Sequence, residues 1–178
     1  MEMKSQKIEI LVAISLIGFI VLSRLTAHFW NFTVVGGVAL FAGAYFSRKY
    51  FAVATVFAGL LISDFVIGFY DQMFEVYFAY AIVSAVGFFL TVKSPRTKTF
   101  GATLLGACLF FLITNFAVWM NGVLYPLTFD GLIQSYTMAI PFFRNQLISD
   151  IIFTVALFEV AKAIKLPSAA PEAVRIKF

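Results

Sequence analysis

Residues 50–70 read YFAVATVFAGLLISDFVIGFY, an apolar run whose one charged side chain is Asp64. A helix of about 20 residues covers the hydrocarbon core of a bilayer, because each residue adds about 1.5 Å of length. This run is therefore long enough to cross a membrane. It predicts a protein whose main solvent is lipid and which holds an ionisable side chain inside that solvent.

The composition of the whole chain supports the same prediction. Of its 178 residues, 62% are hydrophobic and 12% are charged, whereas soluble domains are roughly half apolar and a quarter charged. A soluble domain of this size would leave large apolar patches exposed to water. The net charge of +4 comes from short basic clusters between apolar runs, which argues against a nucleic-acid partner. The single cysteine, Cys108, excludes an internal disulfide.

Five further apolar runs accompany residues 50–70 and predict six helices in all. Residues 33–46 form a short run rich in small side chains such as Gly36 and Gly43, which favours packing inside a bundle over a docking surface. The last run is too long for one perpendicular span, and Pro141 predicts either a kink or a boundary between an interfacial and a spanning piece. The predicted fold is all-α, a polytopic bundle of six transmembrane helices over residues 8–29, 33–46, 50–70, 76–92, 99–120 and 132–163.

The distribution of charged residues predicts the orientation. If the N-terminus is cytoplasmic, eleven of the 13 basic residues fall in cytoplasmic segments. The outer connections carry Asp71, Glu75 and Asp130, with Arg24 near a helix end as their one basic residue. We therefore predict a multi-pass protein of the inner (plasma) membrane with both termini cytoplasmic. It has one transmembrane domain over residues 1–166 and a flexible cytoplasmic tail over residues 167–178.

Polar side chains inside the apolar runs mark a candidate site. A charged group in hydrocarbon costs at least about 2.5–3.5 kcal/mol, so Asp64, Arg144 and Asp150 need partners, water or a cavity. Counted from the proposed outer helix ends, Asp64 and Asn115 lie at depths similar to that of Arg144, and Asp150 lies nearer the midplane. We therefore expect a site below the outer surface, with the candidate ligand-binding residues Asn31, Asp64, Asn115, Arg144, Asn145 and Asp150.

Two interpretations of Arg144 stay open. In the first, its guanidinium grips an anionic or carbonyl group of a ligand while Asp64 or Asp150 holds a donor group. In the second, Arg144 forms an interhelical salt bridge with one of these acids and only fixes helix packing. Replacing Arg144 by Ala abolishes ligand binding in a folded protein under the first interpretation and impairs folding under the second.

Sequence signatures of catalysis are absent. The chain has no G-x-x-x-x-G-K-[ST] phosphate loop and no H-E-x-x-H zinc motif, so we predict neither an enzyme nor a cofactor or metal site. The tetrapeptide Leu-Ile-Ser-Asp occurs twice, at residues 61–64 and 147–150. This repeated tetrapeptide is compatible with an internal duplication, which is common in transporters, and also with chance.

Three segments carry a resemblance to a known family. They are Asn31-Phe32-Thr33 with the glycine-rich run that follows, Ser63-Asp64, and Ala139-Ile-Pro-Phe-Phe-Arg-Asn145 through Asp150. Together they resemble a bacterial family of uncharacterised membrane proteins, some of which are labelled as candidate transport proteins. The resemblance covers most of the chain.

Six hydrophobic helices in a chain of this length also resemble the S components of energy-coupling-factor vitamin transporters. This architectural resemblance implies an outward-facing solute pocket. It also implies docking onto a separate transmembrane coupling protein and its ATPases, through small residues such as Ala39 and Gly43.

The leading hypothesis is a non-enzymatic, S-component-like membrane subunit that binds a small, vitamin-like solute and takes part in its uptake. Two alternatives stay open. A structural scaffold of cell-envelope machinery uses its polar residues only to join helices and predicts no ligand-sized cavity. An ion-coupled secondary carrier uses Asp64 and Asp150 as protonation sites and predicts transport by the protein alone.

Overall fold

A computed structural model describes residues 2–26 and 31–167, which form six α-helices. An apolar run forms a helix because this conformation satisfies every backbone hydrogen bond within the segment itself. No strand occurs in the described residues, so the all-α prediction is confirmed. Most of the predicted tail, residues 168–178, lies outside them. The helices are α1 Glu2–Leu25, α2 Val35–Tyr45, α3 Lys49–Ile67, α4 Met73–Gly87, α5 Arg96–Met120 and α6 Phe129–Ala163.

Identifiable residues set the helix ends near the candidate site. Helix α3 stops at Gly68, whose φ of 108° is readily adopted only by glycine. Helix α6 starts after Thr128, whose hydroxyl accepts a hydrogen bond from the Gly131 N–H at 3.1 Å. It then continues through Pro141 to Ala163. Of the two alternatives at Pro141, the boundary is therefore wrong, because the helix tolerates the missing backbone donor without ending, and the kink stays a prediction.

Three of the described helices are long and apolar enough to cross a membrane, over Gln6–Leu25, Lys49–Ile67 and Arg96–Met120. Helices α2 and α4 are apolar but shorter, about 16 and 22 Å long at 1.5 Å per residue, against a core of about 30 Å. Helix α6 is long enough, but polar side chains from Arg144 to Asp150 interrupt its apolar character. The structure therefore supports six helices with three candidate spans.

Helix α2 lies at the centre of the bundle. All of its residues are buried, and α3, α4, α5 and α6 pack around it. A Cβ on Gly43 would overlap the Ser84 carbonyl oxygen of α4, and a Cβ on Gly87 would overlap the Leu40 carbonyl oxygen of α2. The preference for internal packing over docking is thus confirmed for this run. The expectation that Ala39 and Gly43 meet a docking partner is wrong, because both are buried inside the bundle.

The outer faces of the helices are apolar, while the interior holds polar side chains. Phe65, Phe74 and Phe89 are each close to four-fifths exposed. Inside, hydroxyls such as those of Thr55 and Ser84 donate to carbonyl oxygens one turn earlier in their own helices. An exposed apolar surface of this extent is unfavourable in water and favourable against lipid tails.

Candidate solute site

A cavity of about 440 Å³ opens at the end of the bundle where α1 and α3 finish. This volume is within the usual range for small-molecule sites. Its walls combine aromatic rings with a few polar groups, which is the mixture typical of such sites. The aromatic lining residues are Tyr70, Tyr80, Phe110, Phe111, Phe142 and Phe143, and the polar ones are Arg24, Asn31, Thr33, Thr114, Asn115 and Gln146.

An ion pair at the cavity joins α1 to α3. Arg24 Nη2 lies 2.6 Å from Asp64 Oδ1, and the Tyr77 hydroxyl of α4 donates to Asp64 Oδ2 at 2.9 Å. About one turn earlier, Ile20 of α1 packs on Gly59 of α3, where a Cβ would press against it. The two helices therefore approach closely enough for the pair to form. Asp64 is fully buried, and Arg24 compensates its charge.

The other terminal nitrogen of Arg24 is the least satisfied donor at the site. Arg24 Nη1 is buried and has no hydrogen-bond partner among the described residues, although Arg24 lines the cavity. A buried donor without a partner costs about 1–3 kcal/mol, and more when it is charged. At the rim, burial raises the pKa of the Tyr70 phenol, and nearby Asp64 raises it further. The Arg24 guanidinium beside the phenol lowers this pKa and so opposes both effects, but burial is the largest cause and Tyr70 stays neutral.

Gln146 connects the cavity to a second buried acid. Its side chain lines the cavity, and its Nε2 donates to Asp150 Oδ2 at 3.4 Å. Asp150 is 4% exposed and lies against Gly36 of α2, where a Cβ would overlap the carboxylate. The missing side chain at Gly36 therefore makes room for the acid between α6 and α2.

The structure brings together some of the predicted residues. Asn31 and Asn115 line the cavity, although the Asn115 Nδ2 already donates to the Phe111 carbonyl oxygen at 2.8 Å. Asp64 and Asp150 do not line the cavity; each instead bonds a side chain that does, Arg24 and Gln146 respectively. The ligand-binding role of all four stays a prediction.

Arg144 and Asn145 do not belong to this lining. Arg144 is exposed and makes no ion pair or hydrogen bond with any described residue, so neither predicted salt bridge is present. Asn145 is half-buried outside the cavity wall. Residues two apart on a helix point about 200° apart. Because Gln146 faces the cavity, Arg144 on the same helix points away from it.

Sequence reasoning misses the cation that compensates Asp64. The charge pattern assigns Arg24 to the outer side near a helix end and to no site, yet Arg24 is the partner of Asp64. The signal is present in the sequence, because Arg24 is the one basic residue that the positive-inside pattern leaves on the outer side. An arginine at such a position is a candidate partner for an acid at similar depth on a neighbouring helix.

A second groove lies between α5 and α6 at the other end of α5. It measures about 300 Å³ and is lined mostly by apolar side chains. Its charged groups satisfy one another, since Arg96 bonds Glu159 at 2.8 Å and Lys162 reaches the same carboxylate at 3.2 Å. Within the described chain it presents no buried donor that lacks a partner, unlike Arg24.

The sequence matches one described family. Residues 4–172 match a family described as "Family of unknown function (DUF6580)". No curated protein matches, and no solved structure matches. The resemblance to an uncharacterised family is thus confirmed, while the transport label and the S-component resemblance stay predictions.

Proposed function

We propose a function for a chain that belongs to DUF6580, a family of unknown function: it is a multi-pass plasma-membrane protein that binds a small solute and takes part in its uptake. The observation that carries this proposal is the buried Nη1 of Arg24, which has no hydrogen-bond partner among the described residues, at the wall of an aromatic cavity of about 440 Å³. Buried donors are normally satisfied. A solute with an acceptor group would satisfy this one.

The charges around Arg24 favour one class of solute. Asp64 already neutralises the guanidinium at 2.6 Å, so a carbonyl or amide oxygen bonds Nη1 without adding a second negative charge. The rings of Tyr80, Phe110 and Phe142 suit a flat apolar body. The amides of Asn115 and Gln146 offer further donors or acceptors. We therefore propose an uncharged or weakly acidic solute with a planar ring and a carbonyl group.

The proposed topology has six membrane-embedded helices with both termini cytoplasmic. Helix α2 is too short to cross alone, but a short helix is tolerated at membrane depth when protein surrounds it, as here. The cavity opens where α1 ends, which is the outer side under this orientation. Uptake then starts with capture from outside, and movement to the cytoplasm involves a separate coupling protein and ATPases, as in S components.

Of the two alternatives, the cavity disfavours the scaffold. A scaffold predicts no ligand-sized cavity, whereas this bundle has one, and a donor in its wall has no partner among the described residues. The ion-coupled alternative gains support from one observation, the buried Asp150, which no cation of the described residues compensates.

Filling the cavity is expected to remove the bound solute. Ala139 is 8% exposed and lines the cavity, so Ala139→Phe places a ring in the solute's space. Native mass spectrometry of protein purified gently from its own membranes should show one solute per wild-type chain and at least about tenfold less in the variant, equivalent to about 1.4 kcal/mol.

Arg144→Ala is the matched control on the same helix, because Arg144 is exposed and lies outside the cavity wall. It should retain the solute at the wild-type level. An empty wild-type protein, or a solute that survives Ala139→Phe in a monodisperse sample, contradicts the proposal.

A further inference from the structure

The two Leu-Ile-Ser-Asp segments end in acids with different electrostatic surroundings. Asp64 is paired with Arg24 at 2.6 Å and accepts from the Tyr77 hydroxyl. Asp150 is also buried, at 4% exposure, but no Lys, Arg or His of the described residues lies within ion-pair distance of it. The Gln146 amide, at 3.4 Å, is its one hydrogen-bond partner in the described chain.

Among the described residues, the elements packed around Asp150 supply no basic side chain that pairs with it. Helix α2 covers the carboxylate with Gly36 of its first turn, where the helix dipole adds a partial positive charge but no full one. Helix α5 has Arg96 in its first turn, but Arg96 bonds Glu159, nine residues or about 13 Å further along α6. From α4, Tyr80 interacts with Asp150 electrostatically, and a phenol is neutral at ordinary pH. A buried carboxylate without a cation is strongly unfavourable.

A hydroxyl one turn along α6 is also unsatisfied. Thr154 is fully buried, and its Oγ1 has no hydrogen-bond partner among the described residues. Other buried Ser and Thr side chains of the described helices donate to a carbonyl oxygen of the preceding turn, namely those of residues 55, 63, 84, 99, 103, 135 and 149. Thr154 does not, and at i+4 it shares the helix face of Asp150.

We propose that Asp150 binds one exchangeable monovalent cation, either a proton or Na⁺, and that Gln146 couples this occupancy to the solute cavity. The charge site itself rests on the geometry of Asp150 and Thr154, while the coupling rests on the proposed function. A proton neutralises the carboxylate directly. Na⁺ does so with oxygen ligands, of which the Asp150 carboxylate and the free lone pairs of Thr154 Oγ1 are two.

Gln146 transmits the change because it bonds Asp150 and lines the cavity at once. An ionised Asp150 accepts from the amide NH₂, which leaves the amide oxygen for the solute. A protonated Asp150 can donate to that oxygen, so that the NH₂ turns toward the solute instead. A sodium ion bound to the carboxylate also attracts the amide oxygen, so the NH₂ again turns toward the solute. Whether Asp150 holds a cation therefore decides whether Gln146 offers the solute a donor or an acceptor.

The charge site is testable without any solute, on wild-type protein in nanodiscs. Infrared difference spectroscopy across a pH series detects a protonated carboxyl by its C=O stretch. If the cation is a proton, a carboxyl band disappears as the pH rises. Between about pH 4, where an unfolded carboxyl titrates, and the pH at which the band disappears, the folded state binds one proton more than the unfolded chain. The folding equilibrium therefore weakens up to tenfold per pH unit over that window, and the melting temperature falls.

Sodium gives a different signature in the same sample. If the cation is Na⁺, the melting temperature rises with NaCl relative to choline chloride at equal ionic strength, most strongly at high pH. Wild-type protein with neither a titrating carboxyl band nor a sodium response overturns the proposal without the need for a variant.

Two pairs of variants assign the response. Asp150→Asn should remove it, whereas Asp64→Asn should leave it, because Asp64 is held by Arg24. If Asp150→Asn does not fold, Thr154→Val should shift the carboxyl band or weaken the sodium response, and Ser63→Ala beside Asp64 should do neither. A response that persists in folded Asp150→Asn, or that is lost equally in the Asp64 variant, overturns the assignment.

Coupling is then measured on the solute that copurifies, by native mass spectrometry at two pH values with and without Na⁺. The amount of solute retained should change with pH or Na⁺ in wild-type protein and should not change in Gln146→Leu. An empty cavity beside a responsive Asp150 contradicts the proposed function alone. A filled cavity beside an inert Asp150 contradicts this inference alone.

Discussion

Replacing Arg24 by leucine is expected to lower the free energy of unfolding by about 3–5 kcal/mol, because it leaves Asp64 buried and unpaired. The Tyr77 hydroxyl remains as a donor to that carboxylate, but a neutral hydrogen bond does not replace a guanidinium at 2.6 Å. The measurement is the apparent melting temperature in detergent, followed by size-exclusion chromatography after heating.

The double variant Arg24→Leu/Asp64→Leu separates folding from solute binding. Apolar replacement of both partners of a buried pair is often neutral, so this protein should recover most of the lost stability and still bind no solute. Arg144→Leu is the control, since an exposed arginine without a described partner should change stability by less than about 0.5 kcal/mol. A single Arg24→Leu variant that melts like wild type contradicts the ion-pair account.

Replacing Gly43 by alanine is expected to destabilise the fold by about 3 kcal/mol, at the upper end of the usual range for overpacking. A Cβ at Gly43 would overlap the Ser84 carbonyl oxygen, and the neighbouring contacts are backbone atoms of Gly87. Backbone cannot rotate away as a flexible side chain can, so α2 and α4 must separate. Melting temperature measures the loss.

Gly101 in α5 provides the control for this prediction. A Cβ added at Gly101 would meet no other atom within 4 Å, so Gly101→Ala should be neutral or gain up to about 1 kcal/mol from helix propensity. If Gly43→Ala and Gly101→Ala melt at the same temperature, the close crossing of α2 and α4 is not present in the folded protein.

The helices were predictable because apolar runs and basic turns recur along the chain, and each run forms one helix. The central place of α2 was also predictable, since Gly36 and Gly43 remove the side chains that would keep neighbours apart. The number of candidate spans was not, because α4 ends at Gly87, before its hydrophobic run does, and polar side chains interrupt the long α6, while α2 is short already in the sequence. Hydropathy measures preference for lipid, while helix ends depend on local backbone geometry such as that at Gly68.

The candidate site was harder to predict because it depends on how helices rotate about their axes. Depth along each helix predicted one level for Asp64, Asn115 and Arg144, but depth does not say which residue of 144–146 faces inward. A rotation that turns Gln146 to the cavity turns Arg144 out. The ion pair between Arg24 and Asp64 joins residues 40 positions apart. It depends on the packing of Ile20 on Gly59, which no sequence pattern predicted.

The most direct test of the central claim is a high-resolution cryo-electron microscopy map of the protein purified from its own membranes with a rigid antibody fragment. The account predicts non-protein density in the cavity, flat enough to lie among the rings of Phe110 and Phe142 and within hydrogen-bond distance of Arg24 Nη1. A cavity that is empty, or that holds only a lipid tail out of reach of Arg24, would contradict it.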